Sequence, residues 1–320
     1  GGEVSILGGN ARNGQGRFII AEADESDGSF LKLNSYIAVV TNIEDDHLDY
    51  YGTEENIYKA FKQFLGNLVE GGKAILCVDN AKVKALAQEI DKEVITYGLE
   101  AADYVAKDIC YGVDGTTYKL YHKDEFVTEV RLIVPGRHNV LNSVGAFVAA
   151  REMGIADETI LKALEQFGGA KRRFETKGKV NGVWVVDDYA HHPTEIEVTL
   201  KAARQTQPKR LLCLFQPHRY TRTQLLFKEF CNCFNDCDEV ILTDIYAASE
   251  NPIPGITSEA LAEGISKATG KAVTYIAKLP KAEEYLEAKA TAGDLILTVG
   301  AGDVFKVGEE LVKELERKNK

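Results

Sequence analysis

Apolar positions in the first half of the chain alternate between short extended runs and stretches of helical spacing. Residues 17–23 and 36–42 read as buried strands, 53–65 as a helix, 73–78 as a strand and 81–90 as a helix. Alternation of this kind predicts a largely parallel sheet. Between Tyr104 and Val134 the period falls to two, with turn signals at Asp114-Gly115 and Lys123-Asp124, which predicts a small antiparallel sheet ended by Pro135-Gly136. Helices follow over 139–153, where Val140, Val144 and Val148 line one face, and over 157–167.

Gly168-Gly169 stops the second of these helices, and the basic run Lys171-Arg172-Arg173 follows. A domain junction is expected there, giving domains 1–170 and 171–320. Beyond it, strands at 183–187, 210–215, 239–243, 272–276 and 294–299 interleave with helices, the pattern of a second, doubly wound α/β domain. Thr194-x-x-Glu197 and Thr221-x-x-Gln224 read as capping boxes at two helix starts. The last helix, after Gly302, carries Val304, Val307, Leu311 and Leu315 on one face.

Composition narrows the class. With 320 residues, 45% apolar and 27% charged, the chain can bury two cores. A formal net charge of -11, with both signs scattered, argues against nonspecific binding to nucleic acid or a membrane surface, so an anionic ligand must be held by local positive groups. No apolar run of about 18 residues occurs and no basic, then apolar, leader opens the chain, so a soluble, cytoplasmic protein is expected. Of six cysteines, several sit inside apolar runs and read as buried reduced thiols. Cys231 and Cys233 do not share a helix face, and no second C-x-x-C completes a zinc set.

In open α/β sheets ligands bind beyond the carboxyl ends of the strands, and the polar residues gather there. The first predicted strand runs into Glu22-Ala23-Asp24-Glu25-Ser26-Asp27, and the second into Asn42-Ile43-Glu44-Asp45-Asp46-His47. Two acidic strand ends, one with an imidazole, suit a hard divalent cation of the Mg²⁺ kind; either one alone would read as a solvated loop. In the second domain a strand ends in Asp187-Asp188-Tyr189-Ala190-His191-His192-Pro193, where Pro193 keeps His192 out of the helical region. The next ends in Gln216-Pro217-His218-Arg219-Tyr220-Thr221-Arg222, offering two guanidinium forks for carboxylate or phosphate. Gly300-Ala301-Gly302 reads as a structural turn, and no G-x-x-x-x-G-K-[ST] loop occurs in the 320 residues.

The ordered set Ala21-Glu22-Ala23-Asp24-Glu25-Ser26-Asp27, Thr41-Asn42-Ile43-Glu44-Asp45-Asp46-His47-Leu48-Asp49, Gly136-Arg137-His138-Asn139-Val140-Leu141-Asn142, Arg172-Arg173-Phe174-Glu175 and Asp188-Tyr189-Ala190-His191-His192-Pro193 resembles the Mur ligase family over essentially the whole chain. Gln216-Pro217-His218-Arg219-Tyr220-Thr221-Arg222-Thr223 is similar to its L-alanine-adding branch. The resemblance implies a P-loop-NTPase-like central domain, truncated at its start, and a Rossmann-like C-terminal domain. It implies an ATP- and Mg²⁺-dependent ligase of peptidoglycan synthesis, acting on UDP-N-acetylmuramate and L-alanine through an acyl phosphate.

By position, the resemblance assigns Glu22 and His47 to Mg²⁺, Asn139 and Asn142 to the adenine, and Arg173 and Asp188 to the nucleotide's phosphate and ribose. Tyr189, His191, Arg219 and Arg222 fall where the acceptor amino acid and acyl phosphate are held. Lys62 stands where several family members carry a carbamylated lysine; a solvated helix lysine is the other reading. Family members carry a UDP-sugar-binding domain and a P-loop before the point where this chain opens at Gly1. The 320 residues are therefore expected to be a fragment, inactive alone, with an open sheet edge that invites a homodimer. Two competing readings are a murein-peptide recycling ligase and a noncatalytic domain pair that binds a nucleotide or a partner.

Overall fold

Two sheets of six strands organise the computed structural model, which describes residues 2–44, 47–112 and 115–318. Contacts divide the chain into two compact units, one formed by 12–133 with 137–167, the other by 2–11, 134–136 and 168 onward.

In the first unit β1 (Ile37–Val40), β2 (Lys73–Cys77), β3 (Glu93–Gly98), β4 (Tyr104–Gly112), β5 (Gly115–His122) and β6 (Glu125–Leu132) lie side by side in chain order. β1 to β4 are parallel; β4, β5 and β6 are antiparallel. The expected antiparallel region is thus continuous with the parallel sheet, joined where Tyr97 pairs with Tyr104. Lys123 and Asp124 both have positive φ, 49° and 67°, so the β5–β6 hairpin closes as the sequence predicts. Asp114 of the other turn signal lies outside the described residues.

The helices of this unit are α1 (Leu48–Tyr51), α2 (Glu54–Gly66), α3 (Ala81–Leu86), α4 (Arg137–Glu152) and α5 (Asp157–Gln166). The Thr53 side chain caps α2 by accepting from the Asn56 N–H, and Ile57, Ala60, Phe64 and Leu65 form its buried stripe.

The second unit holds β7 (Glu175–Val180), β8 (Val183–Asp188), β9 (Arg210–Phe215), β10 (Glu239–Leu242), β11 (Ala272–Tyr275) and β12 (Asp294–Val299), in the order β11-β10-β9-β12-β8-β7. Only β7 is antiparallel to its neighbour. Residues alternate along each strand between two cores: Leu211, Cys213 and Phe215 join the one with Ile196, Phe230 and Leu261, and Leu212 and Leu214 the one with Leu286, Val307 and Leu311. Helices on both faces supply those partners: α6 (Pro193–Gln205), α8 (Phe227–Asn232) and α9 (Ser258–Thr269) on one, α10 (Leu279–Lys289) and α11 (Phe305–Arg317) on the other. α7 (Tyr220–Leu225) follows β9. Cys77, Cys213, Cys231, Cys233 and Cys237 are buried and free, as expected; Cys110 is exposed.

Three expectations need correction. Residues 17–23 form no strand: Ile19 and Ile20 are 96% and 84% exposed, and among the described residues no ladder pairs this run, without which an extended apolar segment gains nothing from strand geometry. Neither capping box forms as read. α6 starts at Pro193, with His192 as its cap and Glu195, rather than Glu197, closing the box, because proline is pre-organised for the first helical position. α7 starts at Tyr220 with no side-chain cap, and the Thr221 N–H donates to Glu250 instead.

Candidate functional site

The carboxyl ends of β8 and β9 bring most of the candidate residues of the second unit together. β8 delivers Asp187 and Asp188 in sequence, and their neighbourhoods differ. Asp188 accepts from the Phe174 N–H and the Ala190 N–H, both at 2.8 Å, and so pins the segment before β7 to the turn after β8. Burial pushes its carboxyl up to about 6, against the pull of those two N–H groups. Asp187 is fully buried and accepts from Arg172 Nε at 3.1 Å and Thr298 Oγ1 at 2.7 Å; burial raises its pKa too.

After β8 the chain places Tyr189 and His191 side by side, ring centroids 5.4 Å apart. His191 Nδ1 lies 3.1 Å from the Tyr189 carbonyl and 3.5 Å from Glu195 Oε2. Glu195 also accepts from the backbone N–H groups of His191 (2.9 Å) and His192 (3.1 Å), and its other oxygen stands 3.8 Å from Arg173 Nη1. Burial alone would raise the Glu195 carboxyl; the two N–H groups, His191 and Arg173 outweigh it and hold the pKa below the ordinary value.

The loop after β9 closes the cluster. His218 sits 6.1 Å from His191 by ring centroid and stacks on Tyr246 at 5.4 Å and 9°. Its Nδ1 is 3.2 Å from Arg222 Nη1. Burial, then Arg222, drives the imidazole pKa down to about 4, so His218 is neutral at neutral pH and its Nδ1 accepts from the guanidinium. Burial likewise lowers His191, with Glu195 opposing. Arg219 holds a positive φ of 71°, a backbone state seldom kept by a non-glycine residue unless its surroundings fix it. Here the Arg219 N–H donates to the Tyr246 carbonyl at 2.9 Å and the Tyr246 N–H to the Pro217 carbonyl at 2.8 Å.

In the first unit His47, itself at φ 56°, faces Glu25 at 3.6 Å, and Tyr51 Oη donates to the Glu25 carbonyl at 2.5 Å. Asp24 is tied to Ser26, whose hydrogen bonds lower its pKa. Carboxylates and an imidazole fit a hard cation in kind. In position, the near partner of the His47 ring is Glu25, and among the described residues no three His, Cys, Asp or Glu side chains converge as a metal set. Asp45 and Asp46 lie outside those residues. Asn139, half-buried, and Asn142, exposed, share a face one turn apart on α4. Lys62 is exposed on α2 and pairs with Glu89 at 2.7 Å.

Sequence reasoning did not single out Glu195 or Tyr246. Glu195 stands three residues after His192, the spacing of a capping box, and that signal was present. Tyr246 follows β10 with no motif around it, and only the fold brings it to His218.

Comparison with known proteins adds to this geometry. Residues 8–150 match the family description "Mur ligase middle domain", and residues 172–302 match "Mur ligase, glutamate ligase domain". The chain is 50% identical over 320 residues to the UDP-N-acetylmuramate–L-alanine ligase of Desulforamulus reducens, spanning 99% of this chain and 69% of that protein. Among solved structures it is similar to the UDP-N-acetylmuramate-alanine ligase of Thermotoga maritima, with TM-score 0.83, 26% identity, and 99% and 68% of the two chains covered. It shares its fold with the MurF ligase of Thermotoga maritima solved in complex with ADP, at TM-score 0.70, 22% identity, and 88% and 63% coverage.

Proposed function

The chain belongs to the Mur ligase family, and on that premise we propose that it joins L-alanine to the carboxylate of UDP-N-acetylmuramate, with ATP and Mg²⁺, in the cytoplasm. The observation that carries this reading is the cluster at the ends of β8 and β9. There a guanidinium, two imidazoles whose pKa values burial lowers, and a tyrosine come together. Such a set suits a small amino acid about to attack an activated acyl group.

In this reaction the muramyl carboxylate accepts the γ-phosphoryl group, the L-alanine amine attacks the acyl phosphate, and phosphate leaves. Arg222 and Arg219 stabilise charge on the acyl phosphate and the acceptor carboxylate. His191, with Nδ1 donating to the Tyr189 carbonyl, keeps the lone pair of Nε2 for the proton that the amine releases. Arg173 and Asp188 hold the nucleotide's phosphate and ribose, and Asn139 and Asn142 its adenine. Glu22 and His47 would hold Mg²⁺, which would neutralise phosphate charge. The domain division at 170/171 is part of the same reading.

Among the described residues no helix is long and apolar enough to cross a membrane. Among the described residues β1 ends its sheet and pairs on one side, so a homodimer along that edge is part of the proposal, checked by light scattering. The activity is tested in the protein with its natural upstream sequence. Arg222→Ala is expected to lower kcat/KM for L-alanine on the order of a hundredfold. An unchanged kcat/KM would remove the strand-end cluster from the reaction.

A further inference from the structure

Glu195 reaches both sides of the cluster. Oε1 lies 3.8 Å from Arg173 Nη1, and Oε2 lies 3.5 Å from His191 Nδ1 while accepting from the His191 and His192 N–H groups. Its place at the third residue of α6 explains the backbone contacts, since a glutamate there closes a capping box. A cap needs only an acceptor oxygen. It does not explain why the second oxygen is turned to an arginine, nor why the carboxylate touches an imidazole as well.

We propose that Glu195 is a positioning residue whose charge sets Arg173 and His191 together, so that the nucleotide side and the acceptor side of the cluster are held by one carboxylate. The inference rests on the functional reading above and names a further residue for it. The geometry fixes how the link works. Arg173 precedes β7 and His191 follows β8, and the one carboxylate attracts the Arg173 guanidinium on one side while opposing, on the other, the lowering of the His191 pKa by burial. The groups facing His191 are Glu195 from α6, Arg222 from α7, Arg173 from the segment before β7, and His218 from the loop after β9, with Tyr189 beside it. Glu195 is the one anion among them.

Glu195→Gln keeps an oxygen for the cap and removes the charge. Titration of the His191 ring by NMR, in the protein with its natural upstream sequence, is expected to give a lower apparent pKa in Glu195→Gln than in the unsubstituted protein, because the anion that favours the imidazolium is gone. In steady-state assays KM for ATP and KM for L-alanine are expected to rise together, each about tenfold, as for a lost charge-assisted contact. An unmoved His191 titration, or a rise in only one of the two KM values, would overturn the proposal and leave Glu195 as a helix cap. The titration needs no turnover. A protein that shows the His191 shift but no L-alanine-dependent reaction would therefore contradict the functional reading alone.

Discussion

Arg172 sends Nε to the fully buried carboxylate of Asp187 at 3.1 Å, while its guanidinium lies over the rings of Tyr189 (4.9 Å) and Phe305 (4.6 Å) and donates to the Gly300 carbonyl at 2.5 Å. One side chain thus ties the end of β8, the turn after it and the glycine turn after β12. Arg172→Ala leaves Asp187 buried without its cation, a loss of roughly 3–5 kcal/mol for a broken buried pair. Urea unfolding checks this, and a loss under about 1 kcal/mol would mean that Thr298 alone satisfies Asp187.

Asp188 makes stability depend on pH in an uncommon direction. Its folded pKa of about 6 stands above the ordinary 3.8, so between these values the folded protein keeps a proton that the unfolded chain has released. The contribution favours folding below the lower value and is lost as pH rises through about 6, a change of roughly 3 kcal/mol at about 1.36 kcal/mol per unit. Asp188→Asn cannot titrate, so it should be penalised less at pH 7 than at pH ~4.5. Urea midpoints of both proteins at the two pH values decide it, and a penalty that grows with pH contradicts the account.

Gly302 has no room for a side chain: an added Cβ would collide with Gln216 Oε1 and stand 2.8 Å from the Tyr246 ring. Gln216 Oε1 accepts from the Val304 N–H at 3.1 Å, and Tyr246 stacks on His218, so neither can yield without disturbing the cluster. Gly302→Ala is expected to cost about 1–3 kcal/mol by overpacking and to raise KM for L-alanine. Thermal unfolding with acceptor kinetics tests both.

Lys62 and Glu89 form an exposed pair, with side chains 47% and 44% accessible. Lys62→Ala should shift stability by less than about 1 kcal/mol. The same variant tests carbamylation, for which intact mass before and after bicarbonate treatment would show an adduct in the unsubstituted protein that Lys62→Ala lacks.

Strands with continuous apolar runs, such as β9 and β12, were legible because both faces are buried and the run itself is the signal. β7 was not: Glu-Thr-Lys-Gly-Lys-Val has no apolar alternation, and its pairing with β8 makes it a strand. Residues 17–23 failed in the opposite way, apolar enough for a strand but without a partner ladder among the described residues. In the site, Tyr189, His191, Arg219 and Arg222 were legible as polar residues just past strand ends, and the fold brings Tyr189, His191 and Arg222 into one cluster. Glu195 and Tyr246 act through contacts across the fold, which sequence spacing does not record.

The central claim is the acceptor. ATP-dependent phosphate release with UDP-N-acetylmuramate, in the protein carrying its natural upstream sequence, is measured with L-alanine and with a murein tripeptide as competing acceptors. Release that requires L-alanine, ignores the tripeptide and is lost in Arg222→Ala is the predicted result. Release that requires the tripeptide, or none with either acceptor, would contradict it.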